Sequence, residues 1–219
     1  VFCRRAFEST GIRVPIVVQF TVETTGTMLG GTDVTAAFTT FEPYPEIWAF
    51  GLNCATGPTH MGPHLQTLSR LTDRALTCLP NAGLPQNVGG QQVYPLGPEE
   101  LAEAVERFVT DYGLTVVGGC CGTTPAHIRA LAERLKDRKP VPREAAFEPS
   151  AASLYGAWTL RQQPPPLLVG ERLNANGSRK FKKRLLAGDI DGMLDMAKSQ
   201  MKGGAHLLDV CVAYVGRDE

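Results

Sequence analysis

Two cysteines stand side by side in LTVVGGCCGTTPAHI (114–128), where an apolar, β-branched run gives way to a helix start. Adjacent cysteines make poor disulfides, because closing a bridge between neighbours strains the peptide that joins them. Two thiols delivered by one strand end suit a soft metal ion better. A further sulfur stands in LNCATGP, where Cys54 closes another apolar run just before a Gly-Pro turn. Three thiolates can hold a zinc ion and leave its fourth position open, the arrangement of a catalytic site. Such a centre carries net negative charge and is a mild Lewis acid, so it lowers the pKa of a bound thiol yet leaves that sulfur electron-rich. Thiol alkylation suits that chemistry better than water activation does. Cys54, Cys120 and Cys121 are therefore the candidate catalytic and metal-ligating residues, while Cys3, Cys78 and Cys211 read as small core residues.

Other polar residues are less specific. His60 and His64 have an i, i+4 spacing that could bind metal, but no Glu lies between them as in HExxH and Pro63 interrupts the stretch. Glu23 closes the strand pattern in TVE and reads either as a salt-bridged residue or as a carboxylate that holds a substrate ammonium. No glycine-rich phosphate loop is present, and the pairs Gly30–Gly31 and Gly89–Gly90 read as loops. Lys plus Arg number 22 and Asp plus Glu number 22, so no net field draws the chain to nucleic acid or to an anionic membrane. No apolar run approaches the roughly 20 residues of a membrane span, and no secretory signal opens the chain. Six cysteines in 219 residues are too sparse for a disulfide scaffold, which points to a reducing cytoplasm.

The elements that must position these residues alternate. Strands are expected at 15–23, 46–54, 74–83 and 114–121, and helices at 32–42, 61–71 and 99–113. A further helix is capped by Thr124 with Pro125 in its first turn, and Ile128, Leu131 and Leu135 share one face. Four β-then-α units argue a parallel sheet covered by helices. Glu23, Cys54, Asn81 and Cys120–Cys121 all fall at carboxyl ends of successive strands. Polar groups gathered on that rim favour a (β/α)8 barrel over an open sheet, which concentrates them at one switch point.

Residues 138–166 carry six prolines with no periodicity and read as a linker, with Tyr155 and Trp158 expected to pack on a domain surface. A new strand–loop–helix unit opens at LLVGERLNANGSRKF. A helix follows with Ile190, Met193, Leu194, Ala197 and Met201 as its apolar stripe, and then a strand that reaches Asp209. The expected fold is α/β, with two TIM-type barrels both incomplete. Residues 1–137 are the C-terminal half of the first, 138–166 the linker and 167–219 the first two strands of the second. The chain opens on Val1 and stops inside a pattern, so it reads as part of something longer.

GLNCATGP, PNAGLP and VGGCCGTTPAHI resemble the homocysteine-binding zinc barrel of homocysteine methyltransferases. VGERLNANGSRKFK with GGAHLLDV resembles the start of the pterin-binding barrel that follows it in the cobalamin-dependent methionine synthase family. The resemblance implies zinc on Cys54, Cys120 and Cys121, and homocysteine contacts from Glu23 and Asn81. On the folate-binding rim it implies Glu171, Asn174, Gly177, Ser178, Arg179 and Asp209. One departure stands at that rim: the family often has Asp-x-Asn, where this chain has DVC, with Cys211 in place of the Asn. The implied reaction is methyl transfer to homocysteine, with 5-methyltetrahydrofolate as donor and methylcobalamin as carrier. The cobalamin-binding module and the reactivation module that binds S-adenosylmethionine are expected elsewhere, C-terminal to these residues. Two other readings are a homocysteine methyltransferase with a betaine-like donor, against which GERLNANGS speaks, and a non-catalytic zinc or redox module.

Overall fold

The computed structural model describes residues 2–214 and Gly216, and divides into two compact units, Val1–Ala157 and Trp158–Glu219. The first unit opens with α1 (Phe2–Thr10), which lies outside the expected elements. It continues through β1 (Ile16–Phe20), α2 (Val34–Phe41), β2 (Ile47–Asn53), α3 (Pro58–Leu71) and β3 (Ala75–Leu79). A hairpin of β4 (Gln86–Val88) and β5 (Gln91–Val93) follows, then α4 (Pro98–Tyr112), β6 (Val116–Val117) and α5 (Pro125–Leu135). Strands β1, β2, β3 and β6 form one parallel sheet in that order. Parallel neighbours need crossovers, and the helices between the strands supply them. Sequential order without reversal leaves no switch point among these strands.

The alternation of side chains gives the sheet two unlike faces. Val18, Phe20, Phe50, Leu52, Leu76 and Cys78 share one face and pack with Phe38, Leu65, Leu68 and Phe108 of the helices. The other face is small and polar. Gln19, Gly51 and Thr77 are aligned across three strands, and Gln19 Nε2 donates to Thr77 Oγ1 at 3.0 Å over the glycine. A Cβ on Gly51 would stand 2.1 Å from Thr77 O, so only glycine fits beneath that bond. Thr21 likewise donates to Asn53 Oδ1 at 3.1 Å.

Several local expectations shift. The strand expected at 114–121 pairs over Val116–Val117 only, because Gly118 and Gly119 begin the loop that carries the cysteines. Gly89 and Gly90, both with positive φ, form the two-residue turn of the β4–β5 hairpin. Pro63 does not break α3, which starts at Pro58 and runs through it. In α5 it is His127 and Leu131 that are buried, while Ile128 is exposed. Cys78 is core as expected, but Cys3 on α1 is exposed and Cys211 is only half-buried. The proline-rich stretch holds to its own unit: Phe147 packs edge-on to Phe38, Arg143 donates to the Thr72, Asp73 and Arg74 carbonyls, and Tyr155 O accepts from Asp33 N. Short strands β7 (Ser150–Ala152) and β8 (Ala157–Thr159) flank the turn at Ser153–Gly156.

The second unit contains β9 (Val169–Asn174), α6 (Arg179–Leu186), α7 (Ile190–Lys202) and β10 (Leu207–Cys211), with β9 and β10 parallel. Leu173, Ala175, Phe181 and Met196 form its core, with Met193 and Ala197 beside them. The stripe expected on α7 is rotated: Ile190, Leu194 and Met201 are exposed, and Gly192, Met196 and Gln200 are buried. Gln200 sets this rotation, because its Oε1 accepts the Arg172 amide of β9 at 2.8 Å and draws that side of α7 onto the strand.

Candidate metal centre

Three rim loops of the first sheet converge on the sulfurs. The loop after β2 carries Cys54 and Ala55 with φ of 57° and 54°. Two successive non-glycine residues in the left-handed region are costly and turn the chain sharply. The turn is held by Cys54 N on Leu79 O at 3.1 Å and by Asn81 N on the carbonyl of buried Thr56 at 3.2 Å. The loop after β3, Pro80–Ala82, grips the loop after β6. Cys120 N donates to Pro80 O at 2.8 Å, Ala82 N to Cys121 O at 2.9 Å, and Cys121 N to Asn81 Oδ1 at 3.0 Å. Gly57 and Gly83 let the first two loops meet, since a Cβ on Gly57 would lie 2.7 Å from Gly83 Cα.

The sulfurs of Cys54, Cys120 and Cys121 all lie within 4.8 Å of one another, with Cys54–Cys121 at 3.6 Å and Cys120–Cys121 at 3.9 Å. A tetrahedral ion with Zn–S bonds of about 2.3 Å sets its sulfurs about 3.8 Å apart. The two separations bracket that value, so the residues fit a three-thiolate ion with one open position. A hydrogen bond from the Ala55 amide draws the Cys54 thiol below its ordinary pKa, while burial, then the neighbouring sulfurs, push Cys120 up to about 11. Thiolates packed this closely resist ionising together unless a cation sits among them.

Glu23 is half-buried beyond the end of β1, and its charge raises the Cys54 pKa slightly against the stronger Ala55 effect. None of the ion pairs among the described residues involves it. Asn81 is buried, and its carbonyl oxygen is committed to the Cys121 amide. His60 and His64 belong to no metal-binding group among the described residues, and burial lowers the His64 pKa.

Three further residues shape the rim without a signal in the sequence. Thr56 is buried beneath the Cys54 turn. His127, also buried, lies 2.8 Å from Thr124 Oγ1 through Nδ1 and 3.0 Å from Leu96 O through Nε2. Tyr94, just after β5, lays its ring against Gly122, where a Cβ would stand 2.2 Å from Tyr94 Cγ. Desolvation first, and then the neighbouring cysteine sulfurs, raise the Tyr94 pKa.

In the second unit Asn174 Nδ2 donates to Asp209 Oδ2 at 3.3 Å across the ends of β9 and β10. Asn174 Oδ1 accepts from Asn176 N and Gly177 N, closing the turn that leads into α6. A Cβ on Gly177 would stand 3.3 Å from Glu171 Oε2, so Glu171, Asn174, Gly177 and Asp209 share one rim. Ser178 is spent as the α6 cap, its Oγ accepting from Phe181 N at 3.2 Å, and Arg179 begins that helix exposed. Cys211 is aligned with Asn174 across the strands, with Asn176 Nδ2 at 3.9 Å from its sulfur.

The model of the homocysteine S-methyltransferase family matches residues 2–135, and that of pterin-binding enzymes matches residues 170–219. Methionine synthase of Mycobacterium tuberculosis is 49% identical over 215 residues, and that of Mycobacterium leprae 48% identical over 220. Each alignment covers 98% of this chain, and the chain spans 18% of the length of these curated relatives. A solved homocysteine methyltransferase of Escherichia coli is 27% identical with a TM-score of 0.46, covering 59% of this chain and 39% of that one. The first-unit match takes in the whole sulfur rim and more than half of the chain: this chain belongs to the homocysteine S-methyltransferase family.

Proposed function

We propose that this chain carries the homocysteine-binding and folate-facing parts of a cobalamin-dependent methionine synthase, which methylates homocysteine with a methyl group drawn from 5-methyltetrahydrofolate. The observation that carries this reading is the cluster of three sulfurs at zinc-like separations on one strand-end rim. The pterin-type match downstream, and relatives named methionine synthase that align over both units, favour a folate donor over a betaine-like one. Sheet order without reversal supports a barrel segment. Residues 1–137 then belong to a homocysteine barrel, 138–166 to a linker and 167–219 to a pterin barrel. Relatives more than five times as long leave room for cobalamin-binding and reactivation modules. Six unpaired thiols, and no helix among the described residues long and apolar enough to cross a membrane, suit a cytoplasmic enzyme.

In this reading Cys54, Cys120 and Cys121 hold zinc, which supplies the Lewis acidity that keeps the substrate's sulfur deprotonated near neutral pH. The protein's own residues do the rest. The Asn81 amide fixes the Cys121 loop, the strained Cys54 turn sets the third sulfur, and the Glu23 carboxylate, free of any ion pair among the described residues, receives the substrate ammonium. On the other rim Asp209 and Asn174 orient each other and offer a carboxylate and an amide to the polar edge of a pterin, beside Glu171, Gly177, Ser178 and Arg179.

The test separates the two rims in the full chain. Cys54→Ala should drop zinc from one per chain to none and abolish homocysteine methylation by supplied methylcobalamin. Asp209→Ala should weaken methyltetrahydrofolate binding by about 1–3 kcal/mol and leave methylcobalamin-dependent transfer intact. Undiminished transfer in Cys54→Ala would overturn the metal assignment, and equal damage to both half-reactions by Asp209→Ala would overturn the division of labour.

A further inference from the structure

We propose that Gln200 is a positioning residue of the folate-facing rim: it holds a one-residue bulge in β9, and that bulge turns Asn174 toward Asp209. The inference rests on the pterin reading above and goes beyond it, because Gln200 lies on α7, on the helix side of the strands and outside the rim. Gly170 is paired with Leu208 and Leu173 with Val210, so Glu171 and Arg172 stand together against Asp209 alone. One extra residue on one strand is a β-bulge, and it shifts the alternation of side chains by one place. The shift is visible on both sides of β9. Gly170 and Leu173 face the helices although they are three residues apart. A Cβ on Gly170 would stand 2.9 Å from Leu208 Cδ2, and Leu173 packs with Phe181 and Met196. Asn174, one place further on, faces the other way, where its Nδ2 donates to Asp209 Oδ2 at 3.3 Å. In a strand without the bulge Leu173 would take the rim and Asn174 the core.

The bulge leaves the Arg172 amide without a place in the ladder, and Gln200 Oε1 accepts it at 2.8 Å. The Gln200 side chain is buried, and its Nε2 has no hydrogen-bond partner among the described residues. An unpaired buried N–H is destabilising, so what an amide offers here over an apolar side chain is the Oε1 bond. That bond fixes which of two neighbouring residues, Leu173 or Asn174, meets a pterin.

Gln200→Met keeps the length of the side chain and removes the acceptor, whereas Gln200→Glu keeps an oxygen in its place. Titration calorimetry of methyltetrahydrofolate into the full chain returns a stoichiometry, which counts folded sites, and a Kd, which reports the rim. Gln200→Met should raise the Kd about 10-fold, and Gln200→Glu should recover most of that loss. Asn174→Ala should add little in the Gln200→Met background, since both changes remove one contact. Gly170→Ala disturbs the same bond from the strand side, because its Cβ would stand 2.8 Å from Gln200 Oε1, and should raise the Kd as well. It replaces Gln200→Met in the comparison where that variant does not fold. A Kd unchanged in Gln200→Met, or in Gly170→Ala where it stands in, would mean that Gln200 only packs α7 on the strand, and would overturn this inference alone. Fully additive losses in the double variant would overturn it too. Wild-type binding in both Asn174→Ala and Asp209→Ala would overturn the rim and this inference together.

Discussion

Asn81→Ala tests whether the metal centre is organised by the loops or merely collected by the metal. Asn81 is 3% exposed, and its side chain supplies one of the three hydrogen bonds between the Pro80–Ala82 segment and Cys120–Cys121. The other two are backbone bonds and survive the substitution, so the fold survives as well. What is lost is the acceptor for the Cys121 amide, and leaving that part-buried N–H unpaired costs up to about 1–3 kcal/mol. At about 2–4 °C per kcal/mol for a unit of some 150 residues, the melting transition should fall by about 2–12 °C. The freed Cys121 loop also samples positions in which its sulfur is splayed, and zinc must regather it. If the whole cost falls on binding, affinity drops about 5- to 100-fold, at 1.4 kcal/mol per tenfold. Scanning calorimetry and chelator competition on the purified full chain measure the two effects. Asn81→Asp retains an oxygen at the Oδ1 position and should recover most of the melting temperature. An Asn81→Ala protein with wild-type melting and zinc affinity within twofold would refute the reasoning, because the sulfurs would then be held without that bond.

Leu65→Ala in α3, fully buried in the sheet–helix core, should cost about 2–5 kcal/mol in denaturant unfolding yet leave one metal per chain, since Leu65 belongs to the core cluster and not to the sulfur rim. Zinc loading at pH 7 should release about two to three protons, counted by calorimetry in buffers of different ionisation enthalpy. Cys120, raised to about 11 without metal, must give up its proton on loading, so affinity should climb with pH, and release below one proton would remove the cysteines as ligands. Glu106, held by Arg134 and Arg138, has its pKa lowered below the ordinary 4.5, so its contribution is present above that pH and lost as pH falls through the lowered value. Glu106→Gln should therefore melt earlier at pH 7 and converge on the wild type as pH falls through that lowered value.

What the sequence determined by itself is local or periodic. The β-branched runs became strands of one parallel sheet, the Gly113 and Pro125 signals bound α4 and α5, and cysteines at the ends of two such runs had to share a rim once the strands lay parallel. That is why Cys54, Cys120 and Cys121 could be brought together on paper: parallel strands in sequential order leave their carboxyl ends on one side. Tertiary structure decided whatever depended on contacts distant in sequence. The face of α7 was misread because Met and Leu positions weigh equally in a helical stripe, whereas one bond from Gln200 to the Arg172 amide chose which of them met the strand. The resemblance implies a homocysteine contact for Asn81, and only the tertiary structure shows that its oxygen also holds an amide 40 residues away. Tyr94 carries no signal at all, because its place against Gly122 is made by the loop after β3 and by His127 of α5. Periodicity follows from one element's own geometry, whereas the partner of a loop side chain is settled only when the loops close on one another.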